Sequence, residues 1–222
     1  MDQDTTLLKR KEVVLSKLSA YGITDARITY LPYLDFSGED FQSVEEVGHR
    51  ILVLWVISSV AGDLSLKENA EDWLKEVGLW DSVSEREQLL FTGEPTTEQL
   101  QNFSWNIEAA IVLCWAVNLL DELPGLNSEV SYDTLDALED LLPIGEDPGN
   151  FLTSLSYRDK EEVFIENVFN ELITTNLRNL MFSDEENRPS LNAWVSYERH
   201  RALNWLRQFS GISEWDETDT ST

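Results

Sequence analysis

A single cysteine and two histidines in 222 residues exclude several chemistries at the start. Cys114 has no second thiol to pair with and sits inside an apolar stretch, so it is expected to pack as a small hydrophobe in a cytosolic protein. His49 and His200 belong to no H-E-x-x-H pattern, and no C-x-x-C, phosphate loop or dinucleotide fingerprint is present. Glu198 precedes His200 by two positions, which on a helix sets the side chains about 200° apart, on different faces. The expectation is therefore no metal, no cofactor and no catalytic residue. Long hydrophobic runs are missing too. The densest, Ile51 to Ala61, contains two serines and falls short of the roughly 20 apolar residues of a membrane span. The opening MDQDTTLLKRKEVVLSKLSAYG lacks the continuous apolar segment of a secretory signal. A cytoplasmic location follows as the expectation.

Positive charge is scarce: 16 Lys and Arg stand against 42 Asp and Glu, a formal net charge of -26. Such a field repels nucleic-acid phosphates and anionic membranes and attracts basic proteins or cations. The imbalance is clustered. The 71 residues between Arg86 and Arg158 contain no Lys or Arg but 13 Asp or Glu. Asp121, Glu122, Glu129, Asp133, Asp136, Glu139, Asp140, Glu146 and Asp147 concentrate it in residues 121–147. Solubility alone is the plain reading of so acidic a chain. The sharper one is a non-enzymatic binding protein whose acidic surface holds a basic protein partner, such as an immunity protein or a charge mimic. An enzyme or small-molecule binder built on Glu108, Arg50, Glu198 and Arg199 is the alternative.

What the sequence has in quantity is apolar and aromatic bulk, 42% hydrophobic with eight Trp and nine Phe, patterned at helical spacing. The stretch Thr96 to Pro124 stands out because Ala109 to Val117 is apolar nearly all round, and such a helix must lie between others. Read as one helix, Thr97 to Leu120 would span roughly 36 Å. Four capping boxes mark helix starts: Ser43 with Glu46, Ser65 with Glu68, Ser84 with Glu87, and Thr96 with Gln99. Further helices are predicted over 5–21, near 132–142, over 159–182 and over 190–209, with a loop at 22–42 that includes an extended piece at 26–31. Strand-like alternation is nearly absent. The expected fold is all-α, one multi-helix domain around a buried central helix, with its core over about 5–209 and an acidic tail at 210–222.

Two charges fall on apolar stripes. Trp105, Glu108, Val112, Trp115 and Leu119 recur at spacings of three and four, as do Val47, Arg50, Leu54 and Ile57. A charge on such a face needs a partner, so Arg50 with Glu108 is the expected structural ion pair, in preference to a carboxylate tuned for acid-base work.

The segments SVEEVGHRILVLWVI, FSWNIEAAIVLCWAVNLLDELP and YERHRALNWLRQF followed by WDETDT resemble the bacterial domain-of-unknown-function family 4272 over most of the chain. The resemblance implies a single helical domain from a bacterial cytoplasm and carries no activity with it. Arg50, Trp105, Glu108, Trp115, Glu198, Arg199, Ala202, Leu203, Asn204, Trp205, Trp215, Asp216 and Asp219 are the positions that match the family's recurrent residues. Asn106 departs from it, standing where many relatives have Arg.

Overall fold

The computed structural model describes residues 3–37, 40–181 and 190–220, and the regular structure among these residues is all helical. Phe182, the expected end of one helix, and the last two residues of the tail lie outside them. The chain begins with α1, Gln3–Ala20. A 3₁₀ turn, Leu31–Leu34, follows a stretch at 26–30 that has no strand partner among the described residues. Next come α2, Val44–Gly62, α3, Lys67–Glu76, and α4, Glu85–Thr92.

Three of the four capping boxes form as written. At α2 the Ser43 hydroxyl accepts from Glu46 N at 3.1 Å, while Ser43 N donates back to the Glu46 carboxylate at 2.9 Å. The same reciprocal pair opens α4 from Ser84 and α5 from Thr96. The Ser65 box does not form. Asp63, two residues earlier, already accepts from Ser65 N at 2.9 Å, so Ser65 lies inside a 3₁₀ turn that runs directly into α3.

The expected helix from Thr97 to Leu120 is two helices. α5, Thr97–Ser104, gives way at Trp105 to α6, Asn106–Ala116, and the joint is tightened by a three-residue bond from Glu108 N to Trp105 O at 3.0 Å. Its end comes four residues early because Asn118 adopts a left-handed φ of 61°. Leu119 N then reaches back to Cys114 O at 2.9 Å and Asn118 N to Trp115 O at 3.1 Å, a Schellman stop with Asn in the place usually taken by Gly. The expectation of all-round burial holds for α6. Every residue from Glu108 to Ala116 is buried, Cys114 among them.

The acidic α7, Tyr132–Glu139, and the short α8, Gly149–Ser154, lie between α6 and the long α9, Lys160–Met181. Gly48 lets α8 close onto α2: a Cβ there would stand 2.7 Å from methyl groups of Leu152 and Leu155. The last helix is α10, Ala193–Leu206. α6 packs against both α2 and α10, and α10 in turn against α9. One apolar cluster joins α2, α6 and α10, and a second joins α1, the 23–36 loop and α9. In the second, Phe36 stacks on Phe164 with centroids 4.7 Å apart. The tail is not a loose end, since Trp215 is only 3% exposed and packs edge-on to Trp205.

Trp115 sits in the first cluster, with the Arg158 guanidinium 4.8 Å from its ring. Replacing it with Ala removes a large buried ring from a site closed on several sides. Denaturant unfolding is expected to show a loss of about 3 to 5 kcal/mol. A loss below about 1 kcal/mol would mean the site collapses onto the gap.

Candidate functional site

α10 organises the polar interior, because successive residues of YERHRALNW point to different neighbours. Arg199, 1% exposed, turns to α6. Its Nε and Nη2 donate to Glu108 Oε2 at 3.2 and 2.9 Å, and its Nη1 donates to Pro124 O at 2.7 Å. The other Glu108 oxygen accepts from Val130 N at 2.7 Å. The pair therefore ties the 124–130 loop to the core through both partners.

Arg50 pairs with Glu87, not with Glu108. Its Nη1 meets both Glu87 oxygens at 3.0 and 2.8 Å, and Glu87 also accepts from Ser84 N at 2.9 Å as the capping-box residue of α4. Each expected partner had a better-placed ligand on another element: Glu87 offers Arg50 a carboxylate fixed at a helix start, and Arg199 offers Glu108 a two-nitrogen contact. Both charges are buried and paired as charges on apolar stripes must be, in two pairs where one was expected.

His200 and Asn204 face α9 and the tail. Asn204 Nδ2 donates to Asp219 O at 3.0 Å and lies 3.2 Å from His200 Nε2, while its Oδ1 accepts from Asn167 Nδ2 at 3.0 Å. Arg207 Nη1 donates to Asn167 Oδ1. The polar stripe of α9, including Asn167, Asn170 and Thr174, went unnoticed in the sequence because its period matches the apolar one beside it.

The remaining motif residues gather at the tail. Trp215 has the Arg201 guanidinium 4.3 Å and the Arg50 guanidinium 4.9 Å from its ring centre, a cation-π arrangement on both counts. Asp216 accepts from Arg86 N at 3.0 Å in the first turn of α4, where a carboxylate is favoured by the helix dipole. Residues 215–217 separate two clefts. One, of about 620 Å³, is lined by Arg50, Ser82 and Trp205 among others. The other, of about 810 Å³, lies between the tail and α4, α5, α6 and α10, and Asn106, Trp194, Tyr197, Glu198 and Arg201 line it. Burial pushes the Glu198 carboxyl above the usual carboxylate range, opposed by the charge of Arg201.

The expected cluster is thus partly assembled. Arg50, Trp205, Trp215 and Asp216 meet around the first cleft, and Glu198 and Asp219 line the second with Trp215 and Asp216. Trp105 stacks on Trp194 at 6.1 Å, near the second cleft, while Trp115 stands apart beneath Arg158. Among the described residues no group of three or more His, Cys, Asp or Glu is placed to hold a metal ion, and no described helix is long and apolar enough to cross a membrane.

All nine acidic side chains at 121–147 are exposed, and none forms an ion pair among the described residues. Tyr132, 83% exposed, opens α7, and Leu141, 54% exposed, lies two residues past its end.

The family model of DUF4272, a domain of unknown function, matches residues 10–218, so the chain belongs to that family. No curated protein and no solved structure matches it.

Proposed function

We propose that the protein is a non-enzymatic binding protein of the bacterial cytoplasm whose 121–147 face takes a basic protein, in the manner of an immunity protein or a charge mimic. One observation carries the reading: nine exposed carboxylates and two exposed apolar side chains, Tyr132 and Leu141, fall within residues 121–147, and none of the carboxylates is in an ion pair among the described residues. A surface serving solubility alone is better made with both signs interspersed and large apolar groups withdrawn. An aromatic anchor within a charged rim is instead the usual composition of a protein-binding patch. Clustered charge speeds encounter with a cationic partner, and the gain falls with salt because the Debye length is about 8 Å near physiological ionic strength.

The test compares proteins captured from the source cells on wild type, on a variant carrying Asp133→Asn, Asp136→Asn, Glu139→Gln and Asp140→Asn, and on Tyr132→Ala. Basic proteins held by wild type at low salt are expected to be lost on both variants, and the charge-dependent part to be lost at high salt. Equal capture by all three, or a captured set with no basic member, overturns the reading.

A further inference from the structure

Beyond the acidic face, a different part of the molecule is built to hold something small. We propose that the 810 Å³ cleft between α4, α5, α6, α10 and the 215–219 segment binds a small organic cation, an amine or guanidine on an apolar or aromatic body, anchored by the Glu198 carboxylate.

The anchor is identified by contrast with Glu108, Glu87 and Glu166. Glu108 accepts three hydrogen bonds from Arg199 and Val130 N. Glu87 has Arg50 across both oxygens and Ser84 N, and Glu166 has Lys17 and Asn170. Glu198 is as buried, at 5% exposure, yet its Oε2 has no hydrogen-bond partner among the described residues. Arg201 Nη1 stands 3.5 Å from that oxygen, beyond the 2.7 to 2.9 Å of a charge-assisted hydrogen bond. The same guanidinium is committed to the Trp215 ring at 4.3 Å. A carboxylate withdrawn from water without full hydrogen bonding is costly; Oε2 is sealed from solvent at rest, and a side-chain rotation of Glu198 toward the cleft it lines would let an entering N–H donor complete it.

The walls suit the body of such a ligand. Trp194 is 49% exposed but is held against Trp105, with rings 6.1 Å apart and 19° from parallel, and Tyr197 meets it edge-on at 6.3 Å. Aromatic faces attract ammonium and guanidinium groups and repel anions. The buried Asn106 lines the cleft at the start of α6 and adds a neutral amide. Five acidic residues and two arginines line the cleft, and with Arg50, which pairs with Glu87 from behind it, the acids still outnumber the cations, so the local field has the sign of the whole chain. The volume is within the range of about 300 to 1,000 Å³ common for small-ligand sites.

Titration calorimetry with tryptamine and agmatine, and with indole-3-propionate as an anion of similar body, tests this. At least one of the two cations is expected to bind wild type saturably, one per chain, with the anion giving no heat. Glu198→Gln keeps the shape of the side chain and removes its charge, and is expected to weaken binding at least about tenfold. Trp194→Ala changes a half-exposed wall, leaves the fold in place, and is expected to weaken binding by about threefold or more. The variant with Asp133, Asp136, Glu139 and Asp140 neutralised is expected to bind within about twofold of wild type, because none of the four lines the cleft and all are exposed, where solvent and salt screen them. That arm separates this site from the acidic face, and failure of either proposal leaves the other standing. Absence of saturable binding by both cations overturns the inference, as does equal affinity in Glu198→Gln. If that variant fails to fold by circular dichroism, Trp194→Ala decides, and unchanged affinity there overturns it.

Discussion

Glu108→Gln is expected to lower the unfolding free energy by about 3 to 5 kcal/mol, because it leaves Arg199 charged and almost wholly buried without its counter-ion. Two further contacts fix the scale. Glu108 Oε1 holds Val130 N and Arg199 Nη1 holds Pro124 O, so weakening the pair also loosens the loop that brings the chain out of α6. By comparison, the Arg158 to Glu162 pair should contribute no more than about 1 kcal/mol, since Glu162 is 58% exposed, solvent screens the contact and the carboxylate is free to leave it. Urea unfolding should show a lower midpoint with an unchanged slope. A double variant, Glu108→Gln with Arg199→Met, should recover much of the loss, because the penalty comes from the orphaned charge rather than from absence of the pair. A single variant within about 1 kcal/mol of wild type would show that water or another carboxylate reaches Arg199.

That both Arg50 and Glu108 needed partners was legible in the sequence, since each interrupts an apolar stripe. Which partners they take was not, because Glu87 lies 37 and Arg199 91 residues away and nothing local encodes the docking of α4 or α10. The same division runs through the fold. Burial of α6 follows from an unbroken apolar run, and three helix starts follow from a reciprocal hydrogen bond that needs only four consecutive residues. The early stop of α6 had a local signal in Asn118, which tolerates positive φ better than most residues, but the apolar residues beyond it masked that signal. The Ser65 box failed because a second cap two residues away competed for the same amide. The polar tail WDETDT gave little sign that Thr218 and Thr220 would be buried, since their cover comes from α9 and α10. Arg178, on α9, donates to the Thr220 hydroxyl. The cleft at Glu198 was least legible of all, because α4, α5, α6, α10 and the tail each supply part of it.

Acid should weaken the fold through His200. Its ring is wholly buried, and burial together with the charges of Arg178 and Arg207 pushes its pKa down to about 3, with Asp219 opposing. In the unfolded chain the imidazole titrates near 6.5, so between these values the unfolded state holds a proton that the folded state refuses. Stability from this group is therefore complete above pH 6.5 and declines as pH falls toward 3. Each unit in that window is worth about 1.4 kcal/mol, and the full effect is on the order of 3 to 5 kcal/mol. Other carboxylates titrate over the same range, and protonating them relieves the self-repulsion of a chain at -26, while Glu198, shifted upward by burial, also favours the folded state in acid. Those contributions are common to wild type and His200→Gln, which keeps a polar side chain beside Asn204 and cannot titrate. Denaturant unfolding of both proteins at pH 6.5 and 4.5 isolates the histidine: wild type should lose roughly 2 to 3 kcal/mol more than the variant over that interval. Parallel losses would mean that the folded protein admits the proton, with the imidazolium stabilised by Asp219 more strongly than the two arginines disfavour it.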